Sequence, residues 1–218
     1  TTTDTYDADG RVLSTTSVDI SEKQFDDVLQ SFVGQIEQVP PPYSSVKVKG
    51  RHAYDMARNG EEVDLEPRTI NVYNLDLLEW APPEAVIDVY CSSGTYVRSL
   101  AHDLGEKLGC GAHLIGLRRT KSGRFTLRDA VPLRKLREAF ENDTWQNLII
   151  PAAEALADWP AVGLTNEQLD IVRHGRRIPA EPGAGTMARA ISEEGELIGL
   201  LELDPETLEW QPKKVFTS

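Results

Sequence analysis

CSSGTYVRSLAHDLGEKLGCGAHLIGLRRTKSGRF, residues 91–125, is the stretch on which the reading of the whole chain turns. Cys91 closes an alternating strand pattern, Ser92-Ser93-Gly94 supplies a turn, and Leu100, Leu104 and Leu108 repeat at helical spacing up to Gly109. The pattern predicts a strand, a turn and a helix over Ser99–Leu108, with Tyr96 and Arg98 at the helix start. From Tyr96 to Arg124 there are six basic residues against two acidic ones. An aromatic, a cation and a basic run in one such unit suit a site that handles a nucleobase.

Working outward, Ile70–Trp80 and Ala85–Cys91 read as a strand pair, with Ile87, Val89 and Cys91 on one face. Ser21 to Val33 reads as a helix opened by a Ser21-x-x-Gln24 capping box. Phe25, Val28, Leu29 and Phe32 form its buried stripe, and Gly34 is its stop. Pro40-Pro41-Pro42 forces an extended path. Val46 and Val48 alternate with Lys47 and Lys49 as a short strand ending at Gly50, and a short helix is expected over Ala53–Asn59. Residues 38–68 carry five basic and five acidic residues, a solvated excursion or an arm that grips a partner. After Leu108 a strand is expected over His113–Leu117, and another from Phe125. Helices are expected over Pro132–Phe140, on Leu133, Leu136 and Phe140, and over Pro151–Asp158. Beyond Trp159-Pro160 a second capping box, Thr165-x-x-Gln168, opens a helix running to Gly175, and three short strands follow. The fold class expected is α+β: a mixed, largely antiparallel sheet flanked by helices, over 1–158, with a small β-rich domain over 159–218.

The chain has 218 residues and a formal net charge of −12. That balance alone argues against a nucleic-acid partner, but the charge is uneven: from Ala184 to the end there are seven acidic residues against three basic. A local patch decides phosphate affinity more than the global sum does. No apolar run approaches a membrane span, and no signal-peptide pattern is visible. The first residues, TTTDTYDADG, read like mid-domain sequence, and an N-terminal truncation is expected. Two cysteines, Cys91 and Cys110, make neither a disulfide framework nor a zinc set and read as buried thiols of a cytoplasmic protein. His102 and His113 are eleven apart with no third ligand near, so no metal is expected. DTYDADG, 4–10, fails as a calcium loop, because with Gly10 at its sixth position the first and twelfth positions are Thr5 and Thr16. An acidic surface turn and a functional loop both remain open there.

Arg98 is suited to a two-point grip on a carboxylate, and Tyr96 to stacking or proton transfer. A structural ion pair and a half-buried tyrosine would give the same spacing. Arg118, Arg119, Lys121 and Arg124 suit phosphates, or a solvated surface.

The stretches TDTYDADG (3–10), VGQIEQVPPPYSSVKVKGRHAYDMARNGEEV (33–63), CSSGTYVRSLAHDLGEKLGCGAHLIGLRRTKSG (91–123) and, more weakly, WQPKKVF (210–216) resemble the bacterial TruB family of tRNA pseudouridine synthases. The resemblance spans nearly the whole chain. It implies the pseudouridine-synthase fold and isomerisation of the tRNA T-loop uridine at position 55, with tRNA as partner through its T-arm and no cofactor. It also implies a cytoplasmic enzyme, expected as a monomer. Tyr96 matches the active-site tyrosine proposed to act as a base, and Arg98 the arginine that pairs with the catalytic aspartate. Leu117 matches the apolar wall of the uracil pocket, and Asp7 an RNA-contacting position. Residues 38–68, with Lys47 and Lys49, match an inserted thumb that closes on the T-loop. Arg118 and Arg119 are the expected phosphate contacts, and residues after about 160 resemble a PUA-like tRNA-binding domain. One element of the family is not in the sequence: the G-x-L-D-P-x-A-S/T-G motif that carries the nucleophilic aspartate. Asp4, Asp7 and Asp9 belong to a different motif. The chain by itself is therefore expected to be inactive, the alternative being an RNA-binding fragment without the nucleophile.

Overall fold

Ser21 opens the first helix as its sequence requires. Its hydroxyl accepts from the Gln24 N–H, and the Gln24 side chain accepts from the Ser21 N–H, so both halves of the capping box form. Ser21→Ala is expected to cost about 1 kcal/mol of stability, read by urea denaturation. The computed structural model describes residues 1–216. It falls into two compact units, Thr1–Arg118 and Arg119–Ser218. The boundary expected near Trp159 lies inside the second unit, and the last two residues of the expected 159–218 domain are outside the described residues.

In the first unit, β1 (Thr2–Thr3) pairs antiparallel with β2 (Val12–Ser14) around the 4–10 loop. Helix α1 (Glu22–Gln30) stops three residues short of the expected Val33. Ser31, Phe32 and Val33 bond back to Val28, Leu29 and Gln30, so the last turn tightens to a three-residue spacing. Gly34, at φ 115°, opens β3 (Gly34–Gln38) rather than capping the helix. A small hairpin of β4 (Lys47–Val48) and β5 (Arg51–His52) leads into α2 (Ala53–Arg58). Next come the long β6 (Arg68–Ala81), β7 (Glu84–Cys91) and α3 (Val97–Leu108), which Gly109 ends in the left-handed region at φ 75°.

The three-stranded sheet has the antiparallel order β3-β6-β7. One face carries α1 and α3, and the core is Phe25, Leu29, Ile70, Val72, Leu75, Leu100 and Leu104. Val72 and Leu75 are three apart, yet both are buried. A register shift between Val72 and Asn74 explains this, and a second shift falls between Leu77 and Glu79. Each bulge leaves one residue out of phase, Tyr73 and then Leu78, both exposed.

In the second unit, β8 (Lys121–Ser122) and β9 (Phe125–Thr126) form a hairpin. Helix α4 (Leu133–Glu141), a single 3₁₀ turn (Trp145–Leu148) and α5 (Ala152–Ala155) follow. The expected stripe of α4 is not its buried face: Leu133 and Phe140 are exposed, and Ala139 is the buried residue. Then come β10 (Ala161–Gly163), α6 (Asn166–Arg173), β11 (Ile178–Pro179), β12 (Met187–Ile191), β13 (Leu197–Asp204) and β14 (Glu209–Val215). Thr165 and Gln168 form the second capping box. The sheet order is β10-β12-β13-β14-β11, antiparallel except for β10 beside β12. Leu164, Val172, Ile178, Ala188, Ala190, Ile198, Leu201 and Trp210 make its core. The fold class is α+β, with largely antiparallel sheets and a β-rich C-terminal part. No helix of the described residues is long and apolar enough to cross a membrane.

The expected strand over His113–Leu117 does not form. Only Leu114 pairs, through one parallel bridge to Asp7, and its N–H donates to the Tyr6 carbonyl. From Ile115 to Thr120 the chain is exposed, and no strand of the described residues pairs with it to accept its alternation. Both cysteines are free but half-buried rather than buried.

Candidate active site

The 4–10 loop is built from short polar side chains turned back on their own backbone. Thr3 Oγ1 donates to the Asp7 carbonyl at 2.7 Å. Asp7 Oδ1 accepts from Thr5 Oγ1 at 2.8 Å and from the Asp9 N–H at 3.1 Å. Gly10 is needed for space: a Cβ there would lie 2.2 Å from Thr5 Oγ1. Tyr6 sits at φ 62° and stacks on His102 of α3, with ring centroids 3.8 Å apart and 4° between planes. Burial, followed by the nearby Asp103 and Glu106, pushes the Tyr6 phenol up. Burial also raises Asp103, with a further push from Glu106 and an opposing pull from His102.

Arg98, in the first turn of α3, joins three distant segments. Its Nη1 donates to the Thr5 carbonyl at 3.0 Å and to Asp7 Oδ2 at 3.1 Å, and its Nη2 donates to the Tyr43 carbonyl at 2.9 Å. The Arg98 and Asp7 side chains are 26% and 28% exposed, dry enough for the pair to matter and open enough to be reached. A guanidinium has five N–H donors. Three are used, which leaves the Nε–H and one Nη2 hydrogen for a second acceptor.

Tyr96 is the N-cap residue of α3, extended at φ −94° and ψ 104°, while Arg98 is already helical, so the two side chains diverge. The main chain of Tyr96 is held by Gln38, the last residue of β3. Its N–H donates to Gln38 Oε1 at 2.8 Å, and Gln38 Nε2 donates to the Tyr96 carbonyl at 3.0 Å. One turn on, Ser99 Oγ donates to the Val39 carbonyl at 2.8 Å.

The structure therefore brings Asp7 and Arg98 together, with Tyr96 two residues away at the same helix start. Lys47 and Lys49 are exposed in the β4–β5 hairpin. They do not share a strand face: Lys49 is in the turn, at φ 51°, followed by Gly50 at φ 84°. Leu117 is 66% exposed, and Arg118 and Arg119 are exposed and form no ion pair among the described residues. Also among those residues, no cluster of three His, Cys, Asp or Glu side chains is placed to hold a metal ion.

Sequence reasoning missed Gln38, Ser99, the Tyr43 carbonyl and the Tyr6–His102 stack. A signal for the first three was present. Pro40, Pro41 and Pro42 have no N–H, so that stretch can be held only through its carbonyls and through side chains.

Two family models match the chain in succession: the TruB family pseudouridylate synthase N-terminal domain over residues 1–97, and the tRNA pseudouridylate synthase B C-terminal domain over residues 98–157. The tRNA pseudouridine synthase B of Thiobacillus denitrificans is 43% identical over 203 residues, covering 93% of this chain and 68% of that protein. The protein of the same name from Dechloromonas aromatica is 40% identical over 214 residues, covering 98% of this chain and 71% of that one. Among solved structures, a chain of a Cbf5-Nop10-Gar1 complex superposes with a TM-score of 0.71 at 27% identity; 93% of this chain covers 64% of that one. The present chain thus spans about two thirds of the length of these relatives. The two matched ranges include Asp7, Tyr96 and Arg98, and at 43% identity to a relative of which it covers 68% the chain belongs to the TruB family of pseudouridylate synthases.

Proposed function

We propose that these residues form the base-handling part of a tRNA pseudouridine synthase that isomerises the T-loop uridine at position 55. The observation that carries this reading is Arg98: a partly buried guanidinium, fixed by Asp7 and two carbonyls, with two donors left over. That is a cation built to orient a second carboxylate. In the complete reaction this carboxylate is the nucleophilic aspartate of the G-x-L-D-P motif, which lies outside the 218 residues. The C1′–N1 bond breaks, the uracil turns, and C5 joins C1′, with no change of oxidation state and no water consumed.

Arg98 keeps the aspartate ionised and aimed. Tyr96 lies against the detached base and takes a proton as it rearomatises. Leu117 supplies an apolar wall. The target base must leave its stack, which costs a few kcal/mol that stacking and phosphate contacts offset. The Asp7 carboxylate is already committed to Arg98, Thr5 and the Asp9 N–H, so its first duty is to hold Arg98, and any RNA contact comes second. Residues 38–68, with Lys47 and Lys49, act as the thumb on the T-arm, and 159–218 as a PUA-like tRNA-binding domain. The protein works as a cytoplasmic monomer without a cofactor. The 218-residue chain alone binds tRNA and does not modify it.

Arg118 and Arg119 are assigned to phosphates, having no carboxylate partner in the described chain. Replacing both with Gln is expected to weaken tRNA binding and to make the slope of log K against log salt shallower by about 1.5. Filter binding across a salt series reads this, and an unchanged slope removes them from the interface. The function itself is tested by mapping pseudouridine in an unmodified tRNA transcript after incubation with the protein as its gene encodes it.

A further inference from the structure

We propose that Gln38 is a positioning residue for Tyr96, and this rests on the reading of Tyr96 as the residue that meets the base. A carboxamide carries the same donor and acceptor as a peptide group. Facing the Tyr96 main chain, it closes the two-bond ring that a neighbouring strand would close. No strand can do so here, because β3 runs out at Gln38 into Val39 and three prolines. Gln38 is 2% exposed, and its own backbone is fixed in the sheet opposite Arg68. Its side chain therefore transmits the position of the sheet to Tyr96.

Tyr96 needs that support. It follows the Gly94 turn, at φ 86°, and it has no side-chain cap of its own. Among the described residues, apart from the Leu100 N–H, which donates to its carbonyl at 3.0 Å, the Gln38 carboxamide is what grips its peptide groups. The Ser99 bond to Val39 and the Arg98 bond to Tyr43 continue the same seam. The root of the 38–68 excursion and the Tyr96–Ser99 segment form one hydrogen-bonded unit. Its first rivet, and the one aimed at Tyr96, is Gln38.

The test uses the protein as its gene encodes it, with Gln38→Met, which keeps length and loses both bonds, and Gln38→Glu, which keeps an acceptor for the Tyr96 N–H and loses the donor to its carbonyl. Two readouts are taken. With 3-fluorotyrosine in the protein, the ¹⁹F resonance of Tyr96, assigned by its loss in Tyr96→Phe, is expected to move or broaden in both variants. Those of Tyr73 and Tyr90, on the opposite side of the sheet from the helices, stay in place. In single turnover, pseudouridine formation is expected to fall about ten- to a hundredfold while the tRNA Kd stays within about twofold. A Tyr96 resonance and a rate that both match wild type in Gln38→Met overturn the proposal. So does a shift of every tyrosine resonance together with loss of tRNA binding, which marks Gln38 as a general folding residue. If Gln38→Met does not fold, Gln38→Glu decides by the same criteria. If the unsubstituted protein forms no pseudouridine, the functional reading fails, and the fluorine spectrum still decides whether Gln38 holds Tyr96.

Discussion

Arg98→Lys is expected to reduce pseudouridine formation by at least about a hundredfold while tRNA affinity changes by less than about threefold. Lysine keeps the charge, so the long-range attraction for RNA is unaltered. It loses the planar fork that reaches Asp7, the Thr5 carbonyl and the Tyr43 carbonyl together. An ammonium on a flexible stem can meet one of these well, and then it has no fixed direction left for a second carboxylate. Some stability goes too, about 1–3 kcal/mol, because a carbonyl that loses its partner in a half-buried place is left unsatisfied. Single-turnover rates beside filter-binding curves separate the effects, and a thermal melt shows that the variant is folded. Near-normal turnover removes Arg98 from the proposed role.

Gly105→Ala is expected to destabilise the protein by about 2 kcal/mol, against the direction of helix propensity. In the middle of an exposed helix alanine would be favoured by about 1 kcal/mol. Here a Cβ would lie 2.1 Å from the Ala112 nitrogen and 2.4 Å from the Gly111 carbonyl carbon. Both are backbone atoms that cannot turn aside, so α3 or the 111–112 segment must move, and overpacking of this kind costs about 1–3 kcal/mol. The movement reaches the site, since Leu114, two residues on, bridges to Asp7. Gly105→Ala should therefore lower activity as well as the urea midpoint. A variant as stable as the parent would show that the close approach has slack.

What the sequence shows well is what local chemistry decides. Leu100, Leu104, Leu108 and Gly109 mark α3 because a helix needs that repeat and that stop. Both capping boxes form because each needs only two residues three apart. The β6–β7 hairpin follows from two β-rich runs around a break. The failures are those where a neighbour decides. His113–Leu117 alternates like a strand, but among the described residues no strand pairs with it beyond Leu114. The α4 stripe is amphipathic, yet Leu133 is 72% exposed and Phe140 stacks on Trp145 in the same unit. The bulges at Tyr73 and Leu78 are invisible in one strand, because they are defined against the partner. For the site, Tyr96 and Arg98 stand out within their own segment, and their roles come from the resemblance. The Asp7–Arg98 pair spans 91 residues and Gln38–Tyr96 spans 58, and no periodicity connects such positions.

Release of tritium from C5 of uridine in a tRNA transcript reports the isomerisation itself, since joining C5 to C1′ expels the C5 hydrogen. Close to one tritium per tRNA is expected from the protein as its gene encodes it, confined to the T-loop uridine. For Arg98→Lys the expected rate is at least about a hundredfold lower at unchanged tRNA binding. Stable tRNA binding with no tritium release, or release at the same rate from Arg98→Lys, would contradict the proposed function.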